Sequence, residues 1–430
     1  MLGRQFELTL HGWLHDGALN DWKNKIFSVG GFVRDYQIGR DSHDVDLLVT
    51  VQGGSEKLAL AFKNKFKDEI TTPVQMGAIY PIWSFEIRAG EFNGLKIDIA
   101  DSQKEMFPKN DERQRVASFG TFDEDIQRRD FTVNMLARDL TTDQVIDQSG
   151  VGLQDLENGI LKAHPLVDAR KILSDDPLRI IRAVRFACTH DFKIEQSLFA
   201  KMQELAERIK IVSAERILLE LTKMTLSSKF HFALELFQEL KIIGSVFSEA
   251  VEKMLLDMKT KQAVFKILHA AEKKLVYQLA GLFYFLTQSD VEVMATKLKL
   301  SHQQKREIIT IISQTEKLLL LNPKDFLEVR AFLRSCDINT AELIAFARGV
   351  SEDFDKTEFL MTLKKCLMLP VAKKPVLDGH EIADLLKVSG AEIKKAQDLL
   401  FKIEDQYVLD YSEALSKEKA QEELLKKMIK

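Results

Sequence analysis

Cysteine and proline are scarce in this chain of 430 residues, which has three cysteines and eight prolines. Cys188, Cys336 and Cys366 lie far apart and form no C-x-x-C pair, which argues against a zinc ribbon or a disulfide framework. Each lies in an apolar segment with helical spacing, and we predict three small core residues. The sequence also lacks G-x-x-x-x-G-K-[ST], which disfavours a P-loop kinase or ATPase.

Long apolar runs are absent too, since none approaches the length of a membrane span. The first 14 residues interrupt their apolar pattern with charges and lack the cleavage site of a signal peptide. We therefore expect a cytoplasmic protein without membrane contact. The net charge of −4 argues against a chain that is basic throughout, but a local basic face would suffice to bind nucleic acid. The length predicts two or more domains.

A glycine turn stands at the centre of residues 27–50, which read F-S-V-G-G-F-V-R-D-Y-Q-I-G-R-D-S-H-D-V-D-L-L-V-T. The pattern predicts a strand, a turn at Gly30-Gly31, a short helix, a second turn and another strand. Paired glycines let the backbone approach a ligand closely, and successive N–H groups can cradle an anion. Alone, however, Gly-Gly is usually only a turn.

Two carboxylates, Asp44 and Asp46, occupy alternate positions in the second strand. Alternate side chains share one face, so these two project together. The opposite face is predicted to enter the core through Val45, Leu47 and Val49. Two carboxylates beside an anion cradle suit a divalent metal and a nucleoside triphosphate. Because D-x-D alone is usually a solvated strand end, it is the combination that indicates catalysis.

The rest of the chain divides into a glycine-rich part and a helical part. Asp98, in an alternating segment, is either a third carboxylate near the pair or an ordinary polar-face aspartate. Residues 101–124 are polar without a clear period and are predicted to form a long mobile loop. Beyond about Gly159, apolar residues recur at helical spacing, and we expect helices to the end of the chain.

A first arginine cluster reads R-R-D-F-T-V-N at residues 128–134. Arg128 and Arg129 cannot point the same way, so one can reach a phosphate while the other anchors locally. Asp130 and Asn134 would meet one ligand together if the segment is helical. The alternative is a patch of surface salt bridges.

A second cluster reads D-D-P-L-R-I-I-R-A-V-R-F at residues 175–186. Asp176 is predicted to cap a helix in which Pro177 is the first residue. Three arginines recur at every third position and fan across one side of that helix: Arg179, Arg182 and Arg185. A guanidinium and a carboxylate side by side can hydrogen-bond base edges, whereas the alternative is a solvated basic face.

These motifs, with S-A-E-R-I-L-L-E-L at residues 213–221, occur in one order over residues 26–225. The set resembles the class II tRNA nucleotidyltransferase and bacterial poly(A) polymerase family. The resemblance implies an α+β fold, in which a polymerase-β-like nucleotidyltransferase head with a mixed sheet precedes an all-α neck, body and tail. The implied domains are a catalytic head at 1–160, a base-recognising neck at 161–225, a body at 226–370 and a tRNA-binding tail at 371–430.

The resemblance also implies roles for individual residues. Asp44 and Asp46 would be catalytic and bind Mg²⁺. The remaining implied residues would bind the nucleotide: Gly30, Gly31 and Arg34 at the triphosphate, Arg129 and Asp130 at the sugar and phosphate, Asp176 and Arg179 as an amino-acid template for C or A, and Arg182 in support of that template. The helical half would bind the acceptor arm and elbow of tRNA, and residues 101–124 would be the loop that assists the change from C to A.

The implied reaction is addition of CCA to tRNA 3′ ends from CTP and ATP, with release of pyrophosphate. The sequence departs from the family in having Asp175 where E-D-x-x-R begins with Glu. An enzyme that adds only A or only CC is the first alternative, followed by a poly(A) polymerase, whose G-R-R-F-R-x-x-H-V-like segment is missing here. A non-catalytic RNA-binding scaffold comes last, because the pair Asp44 and Asp46 is intact.

Overall fold

The computed structural model describes residues 1–17, 19–77, 81–106, 116–351, 354, 356–367, 374–411 and 413–428. The chain divides into two compact units. The first comprises Met1–Ser213 with Glu239–Ile242, and the second comprises Ala214–Gln238 with Ile243–Lys430. The four domain boundaries implied by the resemblance stay a prediction, and the one near residue 370 lies outside the described residues. No helix in these ranges is long and apolar enough to cross a membrane.

The first unit contains all the described strands, eight α-helices and four short 3-10 helices. Its strands are β1 (Ile26–Val29), β2 (Asp44–Val49), β3 (Val74–Met76), β4 (Ile82–Glu86), β5 (Lys96–Asp101), β6 (Gln103–Met106), β7 (Val116–Phe119), β8 (Leu136–Asp139), β9 (Val145–Asp147), β10 (Ile160–Leu161) and β11 (Lys193–Ile194). Its helices are α1 (Leu2–His15), α2 (Gly31–Gln37), α3 (Gly54–Phe66), α4 (Phe122–Gln127), α5 (Gly152–Glu157), α6 (Ala169–Asp175), α7 (Leu178–His190) and α8 (Gln196–Glu204).

A seven-stranded mixed sheet organises this unit, in the order β3-β4-β5-β2-β1-β8-β9. The pair β2 and β5 is parallel, whereas the other neighbours in the sheet are antiparallel. The strand β2 lies at the centre and buries the side chains predicted to face the core: Val45, Leu47 and Val49. This placement confirms the alternation predicted from sequence, and the other face of the strand carries the two aspartates followed by the buried Leu48.

Helices cover the sheet with aromatic and aliphatic side chains. On one side, Phe6 of α1 meets Phe62 of α3 at a ring distance of 6.0 Å and Phe92 at 5.3 Å. A second apolar cluster joins β1 to α4, where Phe27 contacts the ring of Phe122 at 4.6 Å. Burial of these side chains is the main stabilising term for the sheet that carries the aspartates.

The second unit is helical throughout its described part. Its helices are α9 (Ala214–Thr225), α10 (Phe230–Glu239), α11 (Ile243–Val246), α12 (Glu249–Leu256), α13 (Met258–Ala270), α14 (Leu275–Phe283), α15 (Gln288–Lys297), α16 (His302–Leu320), α17 (Phe326–Ser335), α18 (Thr340–Val350), α19 (Lys356–Leu367), α20 (Gly379–Leu386), α21 (Ala391–Tyr411) and α22 (Lys417–Met428). Asp405 of α21 accepts hydrogen bonds from Arg330 (2.8 Å) and Arg334 (2.6 Å) of α17, and this ion pair is buried. All three cysteines are buried, as predicted.

Three expectations from sequence need correction. Residues 101–124 include regular structure, because β6 and β7 pair as an antiparallel hairpin and α4 begins at Phe122; residues 107–115 lie outside the described ranges. The strand sequences Q-K-E-M and V-A-S-F do not alternate polar and apolar residues, so no sequence period indicated this hairpin. The segment expected to be wholly helical contains β10 and β11, a parallel pair of two residues each. Helix α7 begins at Leu178, one residue later than expected.

Candidate active site

The glycine turn joins β1 to α2 and has a backbone that only glycine adopts without strain. Gly30 has φ of 67° and ψ of −129°. Its N–H donates to the carbonyl of Leu136 (3.1 Å), and its own carbonyl accepts from Arg34 N–H (3.1 Å), which closes the first turn of α2. A Cβ at Gly30 would lie 2.6 Å from Nη1 of Arg129. The Arg129 guanidinium therefore lies directly against the turn.

Three carboxylates lie on neighbouring central strands. Asp44 is exposed and Asp46 half-buried on the same face of β2. Asp98 of β5 is the register partner of Asp46. One Asp98 oxygen accepts from Lys96 Nζ (2.7 Å), while the other is buried without a hydrogen-bond partner among the described residues. The structure thus brings Asp98 beside the predicted pair.

The electrostatics of this group favour a bound cation. Burial raises the pKa of Asp46 to about 6; the positive charge of Arg129 opposes that change, and the negative charges of Asp98 and Asp44 add to it. Burial alone would lower the pKa of Lys96, but its hydrogen bond to Asp98 and the nearby negative charges raise it. Negative charge therefore exceeds positive charge at this point of the sheet.

The donor set fits a hard divalent metal. Carboxylate oxygens are preferred ligands of Mg²⁺, which typically takes one or two of them and completes its coordination with water and substrate phosphates. Within the described ranges, no group of three or more His, Cys, Asp or Glu side chains forms a closed metal cluster. An open site of two aspartates would match that chemistry.

Asp125 anchors the two adjacent arginines, a role that the sequence analysis missed. This buried aspartate of α4 accepts from Arg128 Nη2 (2.7 Å), from Arg129 Nη2 (3.1 Å) and from the backbone N–H of Gln103 (3.1 Å). Its spacing of three and four residues before the arginines is a helical pairing signal. The Arg129 Nε is buried and has no hydrogen-bond partner in the described part of the chain. Arg129 is thus held in place with donor capacity to spare.

Arg34 is buried and points away from solvent. Its Nη1 donates to Asn134 Oδ1 (2.5 Å), and its Nε and Nη2 donate to Asp35 Oδ1 (2.8 and 2.6 Å). Burial alone would raise the pKa of Asp35, but hydrogen bonds from His190 and Arg34, with the Arg34 charge, lower it. Arg34 therefore fixes α2 to the network behind the turn, and contact of Arg34 with a triphosphate stays a prediction.

Asp130 is the centre of a buried polar network. Its Oδ1 accepts from Asn134 Nδ2 (2.8 Å) and from Phe131 N–H (3.0 Å), and its Oδ2 accepts from Arg182 Nε (2.7 Å). Burial alone would raise the pKa of Asp130, but the charge of Arg182 and the Asn134 hydrogen bond hold it well below its usual range. The alternative of a surface salt-bridge patch is wrong for Asp130, since the residue is buried.

The predicted base-recognition pair lies at the start of helix α7, with Asp176 just before the helix and Arg179 in its first turn. Asp176 Oδ1 accepts from Leu178 N–H (3.2 Å), so this side chain caps the helix although Pro177 occupies the cap position. Arg179 donates from Nη1 to the carbonyl of Ile172 (3.0 Å) and from Nη2 to that of Arg128 (2.5 Å). The first bond joins α7 to α6, and the second joins α7 to the end of α4.

The arginines of α7 do not form a solvated basic face. Arg179 and Arg185 are buried, and the Arg185 guanidinium lies 3.9 Å from the centre of the Phe186 ring. That alternative from the sequence analysis is therefore wrong. A continuous chain of hydrogen bonds runs from Arg34 through Asn134 and Asp130 to Arg182, and it links the glycine-turn helix to α7. The roles of these residues toward a nucleotide stay predictions.

Two regions of the chain match known protein families. Residues 26–162 match the family described as "Poly A polymerase head domain", and residues 191–254 match "Probable RNA and SrmB- binding site of polymerase A". The first region begins at β1 and contains the glycine turn and the three carboxylates.

Similar proteins align with most of the length of this chain. A CCA-adding enzyme of Pediococcus pentosaceus is 30% identical over 324 residues, or 75% of each chain. One of Lactococcus lactis subsp. cremoris (strain SK11) is 29% identical over 86% of this chain and 88% of its own. The solved structure of the Bacillus stearothermophilus CCA-adding enzyme in complex with CTP has a TM-score of 0.71 at 17% identity, covering 99% of this chain and 97% of that one. The fold, the site and these relatives together show that the chain belongs to the CCA-adding enzyme family of nucleotidyltransferases.

Proposed function

We propose that this protein adds CCA to the 3′ ends of tRNA from CTP and ATP by template-independent nucleotidyl transfer, with release of pyrophosphate. The observation that carries the proposal is the joint geometry of Asp44 and Asp46 on one strand face and the glycine turn with Arg129 against it. Relatives and structural neighbours support it, because they are CCA-adding enzymes, including one complexed with CTP and a Thermotoga maritima enzyme complexed with tRNA.

Enzymes of this family generally use a divalent metal, and we propose Mg²⁺ here, held by Asp44 and Asp46. When bound, the metal lowers the pKa of the primer hydroxyl and neutralises charge on the transferring phosphoryl group. The two aspartates supply the negative charge that holds it, and Asp98 adds to that charge from the neighbouring strand.

The glycine turn and Arg129 would bind the triphosphate. The backbone at Gly30 and Gly31 lets phosphate oxygens approach closely, and the Arg129 guanidinium supplies positive charge at the same point. Arg34 keeps α2 in position through its hydrogen bonds to Asp35 and Asn134. In this way the chain would hold and orient the nucleotide without a covalent intermediate.

Base selection is assigned to Asp176 and Arg179, whose carboxylate and guanidinium can together match the Watson–Crick edge of C or A. Arg182 supports this pair from the Asp130 network, and Asp130 with Arg129 would contact the sugar and phosphate. The helical second unit would bind the tRNA acceptor arm and elbow. We place the protein in the cytoplasm.

The alternatives differ in product and are separated by one assay. Purified protein is incubated with tRNAs ending at the discriminator base, at C and at CC, with CTP and ATP separately and together. An oligo(A) primer serves as control. We expect addition of C, C and then A, followed by termination. Addition of A to the CC end alone would indicate an A-adding enzyme, termination after CC a CC-adding enzyme, and long tails on oligo(A) a poly(A) polymerase.

A further inference from the structure

Helix α1 precedes the part of the chain that matches the polymerase head family, which begins at residue 26. It nevertheless contacts α2, the helix that follows the glycine turn. Gly3 of α1 is buried, and a Cβ at this position would lie 2.5 Å from Cε2 of Phe32 and 3.1 Å from the carbonyl oxygen of Ser42. A distance under 3.0 Å forces something to move, so only glycine permits this contact of α1 with α2.

Both neighbours of Gly3 are adjacent to the active site in sequence. Phe32 lies two residues after Gly30 and is buried. Ser42 precedes β2, and its hydroxyl accepts from Asp44 N–H (3.2 Å) and donates to the Asp44 carbonyl (3.1 Å). Because the distance to Phe32 is the shorter of the two, a displacement at Gly3 would first reach the glycine turn, through Phe32.

A second contact restrains the other end of α2. Tyr36 lies four residues after Phe32, on the same face of the helix. The guanidinium carbons of Arg4 and Arg138 lie 5.6 Å and 5.2 Å from the centre of the Tyr36 ring. We call this pair of contacts the Tyr36 clamp.

The two arginines of the Tyr36 clamp alternate with two carboxylates in a network of opposite charges. Arg4 donates to Glu7 Oε2 (2.9 Å) and to Asp143 Oδ2 (2.5 Å). Arg138 lies 3.4 Å from the same Glu7 oxygen and 3.6 Å from Asp143 Oδ1. Opposite charges at these short distances fix both guanidinium groups and hence the clamp on Tyr36.

We propose that α1 is a positioning element of the nucleotide site, in which Gly3 and Arg4 set the place of α2 and thus of the triphosphate turn. This inference rests on the proposed function, because it concerns nucleotide binding during tRNA extension. Neither residue touches the nucleotide; both act through Phe32 and Tyr36. Loss of this positioning weakens binding of CTP and ATP alike and leaves tRNA binding unchanged.

The test compares two alanine variants in the same helix. Gly3→Ala introduces the clash, whereas Gly12→Ala adds the same methyl group where nothing in the described part of the chain lies within 4 Å. For Gly3→Ala we expect KM for CTP and ATP to rise on the order of 10-fold with kcat and KM for tRNA little changed, because small displacements of positioning groups are costly. Gly12→Ala should match wild type.

Rescue separates positioning from a general loss of folding. Phe32→Leu removes the ring atoms nearest the new methyl, so the Gly3→Ala/Phe32→Leu double variant should bind CTP more tightly than Gly3→Ala alone, measured by isothermal titration. Arg4→Ala should also raise KM for nucleotides, with partial recovery in Arg4→Lys. Identical KM values in Gly3→Ala and Gly12→Ala, or additive losses in the double variant, would overturn the inference. A wild-type protein that extends no tRNA would instead contradict the proposed function.

Discussion

Substitution of Gly30 by alanine is the most direct perturbation of the triphosphate turn. The φ of 67° and ψ of −129° form a conformation nearly exclusive to glycine, and a side chain there costs about 1–3 kcal/mol. Alanine recovers about 0.4–1 kcal/mol because it restricts the unfolded chain. At mid-range the net loss is therefore about 1.3 kcal/mol. At about 2–4 °C per kcal/mol for a unit near 200 residues, Tm should fall by about 3–5 °C.

The same substitution should reduce catalysis by more than its effect on stability. The new Cβ would lie 2.6 Å from Arg129 Nη1, so the guanidinium must move, and with it the positive charge that opposes the raised pKa of Asp46. We expect kcat/KM for CTP to fall on the order of 100-fold.

Gly31→Ala is the matched control for stability. Its φ is ordinary for a helix, and its Cβ would lie at an unstrained 3.7 Å from Arg34 Nη2. Differential scanning calorimetry of both variants, with single-turnover CTP incorporation for Gly30→Ala, tests the reasoning. Equal melting temperatures for the two variants would refute the role assigned to the Gly30 backbone.

Three further substitutions test the polar networks. Asp130→Asn should destabilise the protein by about 2–3 kcal/mol near neutral pH, because it removes a buried negative charge. The pKa of this carboxyl is lowered in the fold, so its stabilising effect is present above ~pH 4 and is lost as pH falls further. The melting temperatures of wild type and variant should therefore converge only in acid. Asp405→Asn should cost about 3 kcal/mol, since it removes the negative charge that pairs with the buried Arg330, and calorimetry should show the loss in the second unit. Arg179→Lys removes the planar guanidinium that donates at two points, as it does to the carbonyls of Ile172 and Arg128, and should relax the choice between C and A. The measurement is the ratio of CTP to ATP incorporation on a tRNA ending in C.

Local patterns predicted those features of the fold that depend on neighbours in sequence. The alternation around Asp44 and Asp46 correctly assigned one face of β2 to the core. The register that places Asp98 opposite Asp46 was left open, because it depends on parallel pairing across some 50 residues and no local period encodes it. The hairpin of β6 and β7 was missed since neither strand alternates polar and apolar residues.

Long-range side-chain contacts were the other limit of sequence reasoning. The spacing of Asp125 before the two arginines was visible, yet only the fold shows that it is buried and anchors both. The contact of Gly3 with Phe32 joins segments on either side of β1, and a glycine near the start of a helix gives no sign of it. Family resemblance predicted the residues of the site, whereas the fold supplied the contacts that hold them.

Asp44→Ala tests the central claim, that the carboxylate pair on β2 carries nucleotidyl transfer. Single-turnover incorporation of CTP into tRNA lacking CCA is measured alongside tRNA binding, with the exposed neighbour Asp41→Ala as control. We expect incorporation to fall at least on the order of 1,000-fold, because metal-assisted charge stabilisation is worth several kcal/mol, while tRNA affinity and the control variant stay at wild-type values. Incorporation by Asp44→Ala at the wild-type rate would contradict the account.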